Sequence, residues 1–447
     1  MTKTPFSQDS IGEPLLSERQ IDRIIRAVED RFEEQVAFLQ QLVRADSLRG
    51  NEAGVQGIVS DALGERGYEV CGFAIDPDRI GKDPAFSPTT FDLGNSTVVV
   101  GSRHSVRDGR SLALNAHVDV VPPGASARWK HDPFSATRDG DWLYGRGAGD
   151  MKAGLAANLF ALDAVSSAGL DLTGPVQFQS VIEEETTGNG AAMVLAKGFR
   201  ADAVLIPEPT GEKLVCANTG VMKFAVTVRG VPAHPFEVAA GRSAIDIAIR
   251  TIEHLRRLEQ EWIAERPAGG SDFDQVGNPI ALTIGTISGG EWLASVPSEC
   301  RLEGRIGFYP GETAEAREAG FESFLKQAFA HDPFLQGCPE PEIEWVGVKQ
   351  GGYVLPAGSE AEVLLATAHT RVDGDGRQLE RFVMPCYLDA AVFTLHGGMT
   401  SLVYGPVAEN IHAIDERVSL PSLMRVTKAI ALFAAAWCGV EARTEQG

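Results

Sequence analysis

Short apolar runs ending in glycine, proline or acidic residues alternate with longer stretches of helical spacing, and this alternation restricts the fold more than any other feature. Residues 97–100, 111–114, 176–182 and 203–206 read as strands, and residues 155–165 read as a helix among them. Strands separated by helices are joined by crossovers, which predicts an α/β fold: a mixed, parallel-rich sheet covered by helices. Ahead of them Ile21, Ile24, Ile25, Val28, Phe32, Val36, Leu39 and Leu42 share one helical face. That spacing predicts a single amphipathic helix over residues 21–43.

The stretch 217–348 has a different rhythm. Strand 222–229, helix 243–262, strands 280–287 and 300–308, helix 314–330 and strand 342–346 follow in the order βαββαβ. That order closes a compact ferredoxin-like unit, so residues 217–348 are expected to form an inserted domain. Residues 1–216 and 349–447 would then build one discontinuous catalytic domain, closed by a helix at 360–366, a buried strand at 402–404 and an apolar helix at 422–438. A chain of 447 residues is in any case too long for one core.

Composition excludes several partners. A formal net charge of −21 repels nucleic acid and anionic membrane surfaces, so neither is expected as a partner. The segment from Met1 to Glu13 is polar and lacks the apolar centre of a signal peptide, and no run approaches the roughly 18 apolar residues of a membrane span. The expectation is a soluble, cytoplasmic protein. Cys71, Cys216, Cys300, Cys338, Cys386 and Cys438 form no C-x-x-C pair, which argues against both a thiolate zinc site and a disulfide framework.

Five segments carry chemistry. The apolar run that begins Leu112-Ala113-Leu114 ends in His117 and Asp119, two residues apart and therefore on one strand face. A carboxylate beside an imidazole can hold one ring nitrogen while the other binds a metal. Gly145-Arg146-Gly147-Ala148-Gly149-Asp150 sets an aspartate on a glycine-rich turn before a helix. A dinucleotide loop is the rival reading there, but the charge of Asp150 would repel a phosphate. Glu183, Glu184 and Glu185 follow a buried strand directly, where sites in α/β folds are built. Glu208 closes another strand, and His412 lies in the segment Asn410-Ile411-His412-Ala413-Ile414-Asp415-Glu416. Singly each is undistinguished. Together, two histidines and several carboxylates without a thiolate suit divalent metals of hard to borderline character. No G-x-S-x-G elbow is present, so a serine nucleophile is not expected.

All five segments, in this order, resemble those of the dizinc hydrolase superfamily that includes acetylornithine deacetylase, succinyl-diaminopimelate desuccinylase, aminoacylase and glutamate carboxypeptidase. The similarity runs from about Ile21 to Cys438. It implies His117, Asp150 and Glu208 as protein ligands of one ion, and Asp150, Glu185 and His412 as those of the other. The ions would be zinc, with cobalt or manganese as alternatives. It also implies Glu184 as general base and Asp119 as the holder of the His117 ring. The implied reaction is hydrolysis of an amide in a small N-acylated substrate by a water that two cations have acidified. A dipeptidase, a carboxypeptidase, or a deformylase or deaminase of a heteroaromatic amide or amine would use the same site.

In Gly230-Val231-Pro232-Ala233-His234-Pro235 the resemblance implies that His234 reaches the oxyanion in a neighbouring subunit's site, hence a homodimer through the inserted domain. Relatives carry a substrate-binding arginine where this chain has Gly307. Arg305, two residues earlier on the same strand face, is the candidate replacement, and His396 with Gly397 and Gly398 is expected to line the pocket.

Overall fold

The computed structural model describes residues 16–94, 96–105, 109–266, 272–372 and 376–443. The Met1 to Glu13 segment lies outside the described residues. The strands that frame the site are, in chain order, β1 (Glu69–Ala74), β2 (Thr97–Arg103), β3 (Leu112–His117), β4 (Val176–Val181), β5 (Ala203–Ile206), β6 (Gly220–Arg229), β7 (Thr283–Gly289), β8 (Glu299–Phe308), β9 (Glu342–Gln350) and β10 (Thr400–Val403).

Among the described residues one sheet has the order β1-β2-β4-β3-β5-β10. The β4–β3, β3–β5 and β5–β10 pairings are parallel, whereas β1–β2 and β2–β4 are antiparallel. Every residue of β3 and β5 is buried, as befits central parallel strands covered on both faces. Helix Ala153–Ser167 and helix Leu420–Cys438 pack into the same core and carry apolar residues on nearly every side. Register sets His117 opposite Val181 and Ile206 opposite Val403, so the carboxyl ends of the parallel strands gather at one edge. Ligand sites of open α/β sheets form at that edge.

A second, antiparallel sheet has the order β7-β8-β6-β9, and its chain order with helices Ala244–Ala264 and Ala314–His331 is βαββαβ. It encloses a core of its own, with Phe224, Val226, Leu302, Ile306 and Phe321 at its centre. Edge strand β7 leaves most of its residues exposed. Its start at Thr283, rather than at residue 280, follows from the positive φ of Ala281, which breaks the extended run.

The expected single helix over residues 21–43 is two helices, Glu18–Asp30 and Phe32–Arg44, hinged at Arg31. Arg31 leaves helical geometry at φ −105° and ψ 7°, and its guanidinium bonds Glu34 and Asp163. The apolar spacing continues unbroken from Val28 to Phe32 to Val36, so the periodicity carries no trace of the hinge. No helix among the described residues is long and apolar enough to cross a membrane.

Candidate active site

His117 is the last residue of β3 and is buried there. Its Nε2 lies 3.2 Å from Asp150 Oδ1, 3.8 Å from Glu208 Oε1 and 4.0 Å from Glu184 Oε2. On the other side of the ring, the acceptor nearest Nδ1 is the backbone carbonyl of Asp119 at 3.0 Å; the carboxylate expected to hold the ring stands at 3.5 Å. The strand ends at His117, so Asp119 does not continue its alternation. Its carboxylate instead accepts the Glu185 amide at 3.1 Å, linking the β3 and β4 ends.

Asp150 sits on a glycine turn that Glu416 holds from within. One Glu416 oxygen accepts the amides of Gly149 at 2.9 Å and Asp150 at 3.0 Å, and the other accepts Gly147 at 3.0 Å and the Arg146 guanidinium at 2.6 Å. Gly147 has φ 76°, and a Cβ there would come within 2.4 Å of Val120. The turn presents the two carboxylate oxygens of Asp150 to different histidines: Oδ1 to His117, and Oδ2 to the half-exposed His412 at 3.2 Å. His412 also reaches Glu185 Oε1 at 2.9 Å.

Glu183 turns the chain as it leaves β4. It holds a positive φ of 69°, and Arg49 grips its carboxylate in a fork, Nε to Oε1 at 2.5 Å and Nη2 to Oε2 at 2.7 Å. The next two acids, Glu184 and Glu185, are thereby directed into a cavity of about 440 Å³. Asp150, Glu208 and His412 line it from the larger sheet's side, and Lys223 and Arg305 from the second sheet.

The electrostatics are those of a site short of positive charge. Burial pushes Glu184 and Glu208 well above the usual carboxylate range, neighbouring acids add to it, and His117 offsets only part. Burial opposes charge on His117, but its bonds to Asp119 and Asp150 hold it well above its ordinary value. Bonds to Asp150 and Glu185 push His412 up to about 10, and the two histidines overcome burial to hold Asp150 well below the carboxylate range. Burial lifts Asp389 to about 7 against the hydrogen bond from Tyr387. Glu208 Oε1 is buried without a hydrogen-bond partner. An orphaned carboxylate oxygen beside mutually repelling acids fits a place prepared for cations. His117, Asp150 and Glu185 offer ligand atoms all within 4.8 Å of one another.

The structure therefore brings His117, Asp119, Asp150, Glu184, Glu185, Glu208 and His412 together, with Arg305 on the opposite wall. Two expected residues stand elsewhere. His396 ends helix Asp389–Leu395, which carries it away from the cavity to Gln350 at 3.0 Å. His234 is exposed on a loop of the second unit, its Nδ1 accepting the Phe236 amide at 3.1 Å. Gly307 has a structural reason to lack a side chain, since a Cβ there would meet the Ile280 carbonyl oxygen at 2.6 Å. Sequence reasoning passed over Lys223 and Glu416. The first shows as a cation interrupting the apolar run of β6, and the second as an acid four residues after His412.

Known proteins resemble this chain along most of its length. The profile of peptidase family M20/M25/M40 matches residues 113–436. The N-formyl-4-amino-5-aminomethyl-2-methylpyrimidine deformylase of Bacillus subtilis (strain 168) is 27% identical, over 94% of this chain and 98% of that protein. The succinyl-diaminopimelate desuccinylase of Methylobacterium nodulans is 29% identical, over 88% of this chain and 93% of that protein. Among solved structures, the di-peptidase Dug1p of Saccharomyces cerevisiae superposes with a TM-score of 0.77 at 12% identity, over 94% of this chain and 99% of that one. Human carnosine dipeptidase 1 does so at 0.74 and 15% identity, over 94% and 99%. These structures share the fold, and the profile match, which spans most of the chain and every residue of the candidate site, places the protein in peptidase family M20/M25/M40.

Proposed function

We propose that the chain hydrolyses the carbon–nitrogen bond of a small N-acylated amide, in the manner of an N-acyl amino acid deacylase. The observation that carries this reading is Asp150, whose two oxygens face His117 and His412 separately while the buried acid Glu184 stands beside them. His117, Asp150 and Glu208 would hold one divalent ion, and Asp150, Glu185 and His412 a second. The all-nitrogen-and-oxygen donor set suits zinc, and also cobalt or manganese. Two such ions, when bound, would acidify a water molecule and polarise the scissile carbonyl. Glu184 takes the proton of that water as its oxygen bonds to the acyl carbon, then hands it to the departing nitrogen, leaving a carboxylic acid and an amine. The two relatives support amide hydrolysis with different acyl groups, formyl and succinyl. Dipeptidase, carboxypeptidase and deaminase chemistry would draw on the same residues.

Metal content by plasma mass spectrometry, together with turnover of N-acetyl, N-succinyl, N-formyl and dipeptide substrates, tests the reading. About two ions per chain with turnover of one class is the expected result, and a protein that binds no metal would overturn it.

We further propose a homodimer formed through the second sheet. Phe236, Trp292 and Leu293 are 88%, 67% and 93% exposed there, on the loops around His234 and beside edge strand β7. In such a dimer His234 would stabilise the oxyanion of the partner's substrate. Mixing Glu184→Gln and His234→Ala subunits should then restore one working site per heterodimer. Activity no greater than the sum of the two homodimers would remove the shared site.

A further inference from the structure

An amide brings two polar groups to a site that cuts it: a carbonyl oxygen and, unless it is tertiary, an N–H donor. In the proposed reaction the ions take the oxygen. The donor needs an acceptor of its own, because burying it unpaired costs binding. The side chains on the cavity wall leave little choice. Asp150, Glu185, Glu208 and His412 are committed to the ions and Glu184 to proton transfer, while Lys223 and Arg305 only donate. Those two cations also occupy the carbonyls of Glu185 at 2.6 Å and Pro385 at 3.1 Å. Among the described residues the wall still offers the sulfurs of Met384 and Cys386, both weak acceptors, and the Tyr387 hydroxyl.

Tyr387 is built to accept. Its hydroxyl donates to Asp389 Oδ1 at 2.7 Å, so its one proton is turned into the protein and the oxygen keeps lone pairs for another donor. Asp389 opens helix Asp389–Leu395, is 1% exposed, and has an Oδ2 without a hydrogen-bond partner. The hydroxyl lies hard against Gly188, where φ is 72° and a Cβ would stand 1.9 Å from it. Glycine there admits the ring beside the turn that carries Glu184 and Glu185, and Glu184 is among the charges that act on the phenol. A brace between that turn and the helix would account for the packing. It would not account for a buried acid, costly to enclose, with its second oxygen unmatched.

We propose that Tyr387 is a catalytic residue that accepts the N–H of the scissile amide, with Asp389 as the positioning residue that turns the phenol proton away from the substrate. The inference rests on the amide-hydrolase reading and adds to it the group that holds the leaving nitrogen. When Glu184 passes its proton to that nitrogen, the nitrogen carries a positive charge until the carbon–nitrogen bond breaks. Its N–H is then a stronger donor, so the bond to Tyr387 tightens on the way to cleavage and lowers the barrier. Donation of the phenol proton to Asp389 polarises the oxygen in the same sense.

Calorimetry on zinc-loaded protein compares acetohydroxamate, which has an N–H, with N-methylacetohydroxamate, which chelates alike without one. Wild type should prefer the first by about fivefold or more, and Tyr387→Phe should remove the preference. Because Tyr387→Phe leaves Asp389 without its donor, Tyr387→Phe/Asp389→Asn guards against misfolding and should behave like the single variant. Asp389→Asn alone, whose amide can donate to the phenol and turn its proton outwards, should weaken the preference; a preference it leaves unmoved takes the positioning role from Asp389. Turnover gives a second reading, on the benzylamide and the 4-nitroanilide of whichever acyl class of the substrate panel is cut. Tyr387→Phe should lower kcat by about ten- to hundredfold on the benzylamide, whose amine departs only when protonated, and by less than about threefold on the nitroanilide. Equal losses on both, or no loss on either, overturn the proposal. So do equal binding of the two hydroxamates by wild type and a preference that survives Tyr387→Phe, which would be a clash with the methyl group. A preference lost in Tyr387→Phe with no amide cut by wild type would keep the acceptor and sink the hydrolase reading, and bound zinc with neither hydroxamate bound would sink both.

Discussion

Replacing Glu184 by Gln should lower kcat by about 10²- to 10⁴-fold while the protein keeps its metal and its fold. Glu184 lies at the cavity, 4.0 Å from His117, and the proposed ligand sets are complete without it. An amide of the same shape can neither accept nor return a proton, so the loss should fall on kcat rather than on KM. Stability should not suffer, because burial and the charges of Glu208, Asp389 and Glu185 already work against ionised Glu184 in the metal-free chain. Removing a charge from that crowd leaves the melting temperature level or raises it. Steady-state kinetics, metal analysis and thermal melting on one preparation decide the matter. A kcat within a few fold of wild type would take the proton-transfer role away from Glu184, and a loss of metal would make it a ligand instead.

What sequence could reveal depended on whether a residue acts through its neighbours in the chain or through contacts across the fold. His117 and Glu208 sit at or just beyond the ends of fully buried strands, and apolar runs closed by a lone polar residue mark such places in the sequence itself. The order βαββαβ was readable because each of its elements carries its own period. The hinge at Arg31 was hidden because one non-helical residue leaves the apolar spacing on both sides intact. Glu416 was hidden for another reason: its work is to gather four donors from a turn some 270 positions away, such as Gly147 at |i−j| 269, and nothing local announces that. His396 was misplaced because a histidine next to two glycines suggests a loop at a pocket, whereas here it caps a helix and bonds Gln350. Lys223 was hidden because its place beside Arg305 comes from the cross-strand register, which is a property of the sheet and not of either strand.

Stripping the metal should cost the protein melting temperature, and the gap between loaded and stripped forms should widen as pH rises from about 6.5 to 10. An ion present at about 100 times its dissociation constant contributes about 2.7 kcal/mol per site, which at this size corresponds to several degrees. The pH dependence follows from what replaces the ions. In the stripped chain His117 and His412 are held protonated by Asp150 and its neighbours, with His412 pushed up to about 10 from an ordinary 6.5. A histidine whose folded value is raised gives its full stabilisation below about 6.5 and loses it as pH climbs through the folded value. Glu184 and Glu208, also raised, act in the same direction, stabilising as neutral acids and ceasing to do so as they ionise. Asp150 is the exception, but its depressed value costs stability only on acidification below about 3.8, outside this window. The two histidines, Glu184, Glu208 and Asp389 therefore weaken the stripped fold as pH rises; Lys152 and Lys223, which burial lowers, act the other way, but neither is a ligand, so they do so in the loaded and stripped forms alike. Bound cations keep the same ligands deprotonated throughout, so the loaded protein should show the flatter profile. Thermal melts at pH 6.5, 8 and 9.5, with metal content measured on each sample, test both parts. Equal melting temperatures with verified metal loss would remove the ions from the protein's stability, and a gap that narrows towards pH 9.5 would show that the protonated histidines do not hold the empty site together.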